Sequence, residues 1–101
     1  MVGIYILDGH DVVECRDLVE WGKWFETADR KVAKDTKNDI TISTVFLGLD
    51  HSSGGGTPIV FETMVFGGEY DGELDRYSTW AKAEVGHKQM CEKTGVQKET
   101  T

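Results

Sequence analysis

One proline, two cysteines, eleven basic residues against eighteen acidic ones and no long apolar run mark this chain of 101 residues by its shortages. With so little proline it is neither collagenous nor a stiff linker, and 39% apolar residues with 10% aromatics suffice for a core. No stretch reaches the roughly 18 apolar residues of a membrane span. The opening Met1-Val2-Gly3-Ile4-Tyr5-Ile6-Leu7-Asp8 carries no basic segment and breaks at an acid, so no secretory leader is expected. Cys15 and Cys91 match neither a CxxC metal knuckle nor a redox pair, and they read as buried thiols in a reducing cytoplasm. A formal charge of −7 repels phosphate backbones and anionic lipid, which argues against nucleic acid and membrane as partners. At about 100 residues a chain hides roughly two-thirds of its unfolded surface, enough for one domain without staples.

What the sequence does contain is short strands and two amphipathic segments. Ile4-Tyr5-Ile6-Leu7 and Val12-Val13-Glu14-Cys15 flank Asp8-Gly9-His10, whose glycine permits the positive φ of a tight hairpin. Asp17 caps a helix, with Glu20 three residues on, and Leu18, Trp21, Phe25, Ala28 and Val32 advance at helical spacing as far as Lys34. The polar run from Asp35 to Asp39 reads as a loop. Residues 40–49 and 59–66 are rich in β-branched residues and predict a long antiparallel hairpin closing across a flexible Gly54-Gly55-Gly56 connection. After an acidic loop, Ser78 or Thr79 caps a second helix on which Trp80, Ala83, His87 and Met90 or Cys91 share a face. The order is ββαββα. It predicts an α+β fold, an antiparallel sheet of about four strands with both helices on one face, in a single domain over residues 1–95 with a frayed tail at 96–101.

The candidate chemistry follows from that hairpin. If Leu47 lies near Glu62, one face carries Val45, Leu47, Leu49, Val60, Glu62, Met64 and Phe66. The other is richer in threonine and is expected nearer water or a partner. Glu62 then stands among apolar neighbours and needs a donor, for which His87 and Arg76 are the candidates in a structural polar bridge. Glu62, His51 and His87 are also the candidates for an acid, base or metal-dependent catalytic site. His51, Asp50, His87, Glu62 and His10 show no metal-motif spacing, so neither metal nor other cofactor is expected. Cys91 lies one turn from His87 on the same helix face. Glu69, Asp71, Glu73 and Asp75 alternate, and an extended loop would present all four on one side as an anionic patch for a basic partner. Trp21, Trp24, Trp80, Phe46, Phe61 and Phe66 are expected mostly in the core.

Three blocks carry a resemblance: Ser43-Thr44-Val45-Phe46-Leu47-Gly48-Leu49-Asp50-His51; Phe61-Glu62-Thr63-Met64-Val65-Phe66-Gly67-Gly68; and Arg76-Tyr77-Ser78-Thr79-Trp80 with Ala83-Glu84 and Gly86-His87. Over roughly residues 4 to 91 the chain resembles small uncharacterised proteins of tailed bacteriophages and prophages, departing at Ser53 and Thr57. The resemblance implies a phage accessory protein in the bacterial host cytoplasm. Such a protein is expected to bind a host or phage protein, with host defence among the possible targets, rather than to catalyse a reaction. A small metal-dependent or acid-base enzyme built on Glu62, His51 and His87 is one alternative, and a structural part of the virion is another.

Overall fold

The computed structural model describes residues 3–52 and 56–96. Met1, Val2, most of the glycine loop including Ser53, Gly54 and Gly55, and the tail from residue 97 lie outside the described residues. Among those described, six strands and two helices follow the order ββαββββα, in the expected α+β class. Ile4–Asp8 (β1) and Asp11–Cys15 (β2) form the predicted hairpin, turning at Gly9 with φ of 61°. Leu18–Thr27 (α1) starts at Asp17, whose carboxylate accepts from the Val19 and Glu20 amides at 2.9 and 3.2 Å.

That first helix ends seven residues before Lys34. Ala28 is already extended, and Lys31–Lys37 (β3) is an edge strand rather than helix and loop. The residues taken for a helical stripe, Ala28 and Val32, thus belong to different elements. A bulge between Lys31 and Ala33 places Val32 against the core, while Lys31, Lys34 and Lys37 remain exposed along the edge. Asn38 and Asp39 both have positive φ, 51° and 67°, and close a two-residue turn into Ile40–Phe46 (β4). Phe61–Phe66 (β5) and Leu74–Tyr77 (β6) complete an antiparallel sheet in the order β3-β4-β5-β6. The main sheet is therefore built from residues 31–77, and the N-terminal hairpin forms a separate two-stranded sheet, linked by the Tyr5 amide donating to the Gly48 carbonyl at 2.8 Å.

The β4–β5 register places Val45, not Leu47, opposite Glu62. A shift of two residues keeps every side chain on its predicted face. The choice of buried face, however, is the reverse of that expected. Ile42, Thr44, Phe46, Phe61, Thr63 and Val65 are fully buried beneath Trp80–Thr94 (α2), and the face with Glu62 is open. Threonine can take the inner face because α2 brings a polar partner to it, as described below. Thr79 caps α2 by accepting from the Lys82 amide. Its inner face is Ala83, Gly86, His87, Met90 and Cys91.

Two aspects of the C-terminus and core depart from expectation. Gly95, with φ of 81°, ends α2, and the Val96 amide donates to the Cys91 carbonyl at 2.8 Å, which folds Val96 back into the core beside Met90 and Ile42. Val96 therefore belongs to the folded domain and not to a frayed tail. Phe66, expected inside, is 50% exposed because it falls on the open face of β5.

Candidate functional site

Beneath α2 a chain of polar side chains runs through the core. The hydroxyls of Thr44 and Thr63, opposite each other on β4 and β5, lie 2.5 Å apart. Thr44 Oγ1 is 2.7 Å from His87 Nδ1, and His87 Nε2 is 2.7 Å from Asp35 Oδ2 on edge strand β3. Cys91 Sγ, one turn after His87, lies 3.9 Å from the same Asp35 oxygen. Asp35 sits opposite Ile42, so it points to the α2 side of the sheet while its side chain remains 28% exposed. Two elements thus aim the histidine. The helix presents it at the i position of an i, i+4 pair with Cys91, and the threonine hydroxyl fixes its ring.

One donor chain that fits these distances runs from Thr63 to Thr44, from Thr44 to His87 Nδ1, and from Nε2–H to the Asp35 carboxylate. Burial, and next the charge of Asp35, push the Cys91 thiol up to about 11, so it is a thiol at neutral pH. Thr44 resembles a nucleophile with a histidine and a carboxylate behind it, yet it is fully buried and offers no room for a reacting group. At the far end, the Tyr77 hydroxyl lies near Thr63 but is buried without a well-aligned partner among the described residues, and burial raises its pKa.

Glu62 is on the other side of the sheet. Its cross-strand neighbour is Arg76, whose Nε donates to Glu62 Oε2 at 3.0 Å. Of the two donors expected for Glu62, Arg76 fills the role and His87 does not, because residues of opposite parity on β4 and β5 face opposite ways. The bridge is half-open to water, with 15% of the Glu62 side chain and 41% of Arg76 exposed. His51 is exposed beyond the end of β4, so Glu62, His51 and His87 do not converge on one site.

His10 lies elsewhere again, its ring stacked on Trp80 at 3.8 Å between centroids. Asp50 serves the backbone: its carboxylate accepts from the Ile59 and Ser52 amides at 3.0 and 2.8 Å, and these bonds hold its pKa below the usual carboxylate value.

The acidic segment is not an extended loop with four aligned acids. Residues 69–72 turn sharply and residues from Leu74 join the sheet as β6. Asp71 accepts from the Gly67 amide at 2.7 Å, Glu73 is paired with Lys93 of α2, and Asp75 falls on the helix side opposite Thr63. Only Glu69 and Asp71 remain as exposed acids of the turn itself. Gly67, Gly68 and Gly72, all with positive φ, turn the chain where alternation alone implied a straight run.

Sequence reasoning found His87, Cys91 and their shared helix face but missed Asp35, which lay in a segment read as a loop. The Asn38-Asp39 pair before a strong strand was the signal for a hairpin there. No protein-family model, curated protein or solved structure matches the chain.

Proposed function

We propose that the protein is a phage accessory factor that acts by binding another protein, of the host or of the phage, in the bacterial cytoplasm, and that it does so through the open face of its main sheet. The observation that supports this reading is the apolar cluster on that face. Met64 and Leu74 are cross-strand partners, Phe66 follows on the same side of β5, and Phe66 and Leu74 are 50% and 43% exposed. A solvated antiparallel face is normally polar, and bare aromatic and aliphatic groups together mark a contact surface. The Glu62–Arg76 pair borders the cluster and supplies a polar rim. The likeness of the three sequence blocks to phage proteins supports the setting, and the lack of convergence among Glu62, His51 and His87 favours binding over catalysis.

The test compares the tagged wild-type chain with a Phe66→Glu, Leu74→Glu double variant in phage-infected bacteria, using crosslinking before lysis. Both positions are exposed, so the variant keeps its fold, which circular dichroism verifies. The expected result is a partner enriched by the wild type and lost from the variant. Identical partner sets, or none with either chain, would overturn the assignment.

A further inference from the structure

The Asp35, His87 and Cys91 cluster holds a carboxylate oxygen, an imidazole nitrogen and a thiol sulfur within 4.8 Å of one another. We infer that these three side chains form a binding site for one zinc-class divalent cation, which clips α2 to the edge strand β3.

Donor chemistry selects the ion. Sulfur and imidazole nitrogen favour zinc and its neighbours over calcium or magnesium, which take oxygen ligands. The spacing is suitable too: His87 and Cys91 are one turn apart on one helix face, the arrangement by which helices offer two ligands to a single metal. The third comes from a strand far away in sequence, so the ion would join elements otherwise held by side-chain packing and the His87–Asp35 hydrogen bond. Asp35 is partly exposed, which leaves water a route to the fourth position of a tetrahedral site.

The surrounding hydroxyls fit the same role. A metal-bound histidine normally donates its second ring N–H to an acceptor that fixes its orientation. Thr44 Oγ1 stands 2.7 Å from His87 Nδ1 and can accept there. For that, the hydroxyl chain reverses: Nδ1–H donates to Thr44, Thr44 to Thr63, and Thr63 turns toward the Tyr77 oxygen, which has no other well-aligned partner among the described residues. On binding, Cys91 releases its proton to solvent and forms a metal–sulfur bond, and His87 stays neutral as its ring proton moves from Nε2 to Nδ1 by exchange with solvent. The cation takes the position of the proton now shared between His87 and Asp35. Ligand atoms around tetrahedral zinc stand about 3.3 Å apart, so the 2.7 Å contact must widen, which a rotation of half-open Asp35 accommodates.

Cobalt(II) alone, added to the reduced full-length chain, reports on this site because a cysteine thiolate bound to it gives a charge-transfer band. One equivalent is expected to bind with that band and with tetrahedral d–d absorption, to be displaced by one equivalent of zinc, and to raise Tm. Cys15→Ser should keep the band and Cys91→Ser should lose it. Absence of the band with the wild type, or its survival in Cys91→Ser, overturns the site. Should Cys91→Ser fail to fold, Asp35→Asn decides: at least about tenfold weaker cobalt binding with native circular dichroism is expected, and unchanged affinity overturns the proposal.

Discussion

The two faces of the main sheet share the same strands and nearly the same residue types, yet they follow different physics. Threonines occur on both. Thr44 and Thr63 lie beneath α2, fully buried, and Thr41 lies on the open side with its hydroxyl 3.0 Å from that of Thr36. Side-chain polar pairs occur on both as well: His87 with Asp35 inside, Glu62 with Arg76 outside. On the covered face the fully buried hydroxyls of Thr44 and Thr63 depend on protein partners, because water cannot substitute. On the open face each lost bond is replaced by solvent. The same chemical change should therefore differ in effect by its side of the sheet.

The largest effect is expected where the covered face is tightest. Gly86 sits on α2 directly over Tyr77, and a methyl group added there would overlap the phenol ring. Glycine is a poor helix former, so alanine at an exposed helical site would stabilise by about 0.5–1 kcal/mol. Here Gly86→Ala is expected to destabilise instead, by about 2–3 kcal/mol through overpacking, measured by urea unfolding. A neutral or stabilising result would mean that the helix rides higher on the sheet than described.

Strand β4 permits the comparison within a single element. Thr44→Val keeps shape but removes the hydroxyl from His87 Nδ1 and Thr63 Oγ1, leaving buried groups unpartnered, and is expected to lose about 1–3 kcal/mol. Thr41→Val, three residues earlier, removes only the exposed contact to Thr36 and should stay within about 0.5 kcal/mol of wild type. Equal losses from both would erase the distinction between the faces.

On the open face, Glu62→Gln tests the cross-strand pair with Arg76. Its expected loss is about 0.5 kcal/mol, shrinking further at high salt, because both side chains reach solvent. A loss of several kcal/mol that is insensitive to salt would instead place the carboxylate in a dry setting.

Much of this contrast was legible in the sequence, though not which face was which. Alternation on residues 40–46 and 61–66 assigned Glu62 and the threonines to opposite sides, since parity survives a shift of two residues. Hydrophobicity then favoured burying Val45, Met64 and Phe66, and threonine argued for water. What reversed the outcome is a tertiary fact: His87 hydrogen-bonds Thr44 only after α2 docks, over a separation of 43 residues. Edge strands were hidden for a related reason. Lysine-rich β3 and four-residue β6 protect their outer edges with charge, so that β3 reads as the end of a helix and a loop, and β6 as part of an acidic loop. Asp17, Thr79 and Gly9 were legible because caps and tight turns are decided within a few residues.

The smallest effect expected is one of pH, and it separates a carboxylate held by amides from one held by a guanidinium. Asp50 accepts from the Ile59 and Ser52 amides on the two arms of the loop that joins β4 to β5, and its folded pKa lies below the unfolded value. Its contribution to stability is therefore complete above the unfolded pKa and disappears as pH falls through the folded one. Asn at this position keeps a carbonyl oxygen for the amides but cannot ionise. The stability gap between wild type and Asp50→Asn is thus expected to be constant near neutrality and to narrow below about pH 4, the ordinary carboxylate range, while remaining nearly independent of salt. Glu62→Gln should show the opposite sensitivity, responding to salt at neutral pH. Thermal melts of both variants at two pH values and two salt concentrations check the pair. A gap for Asp50→Asn that widens in acid would show that the amides do not favour the charged form, and the loop would need another anchor.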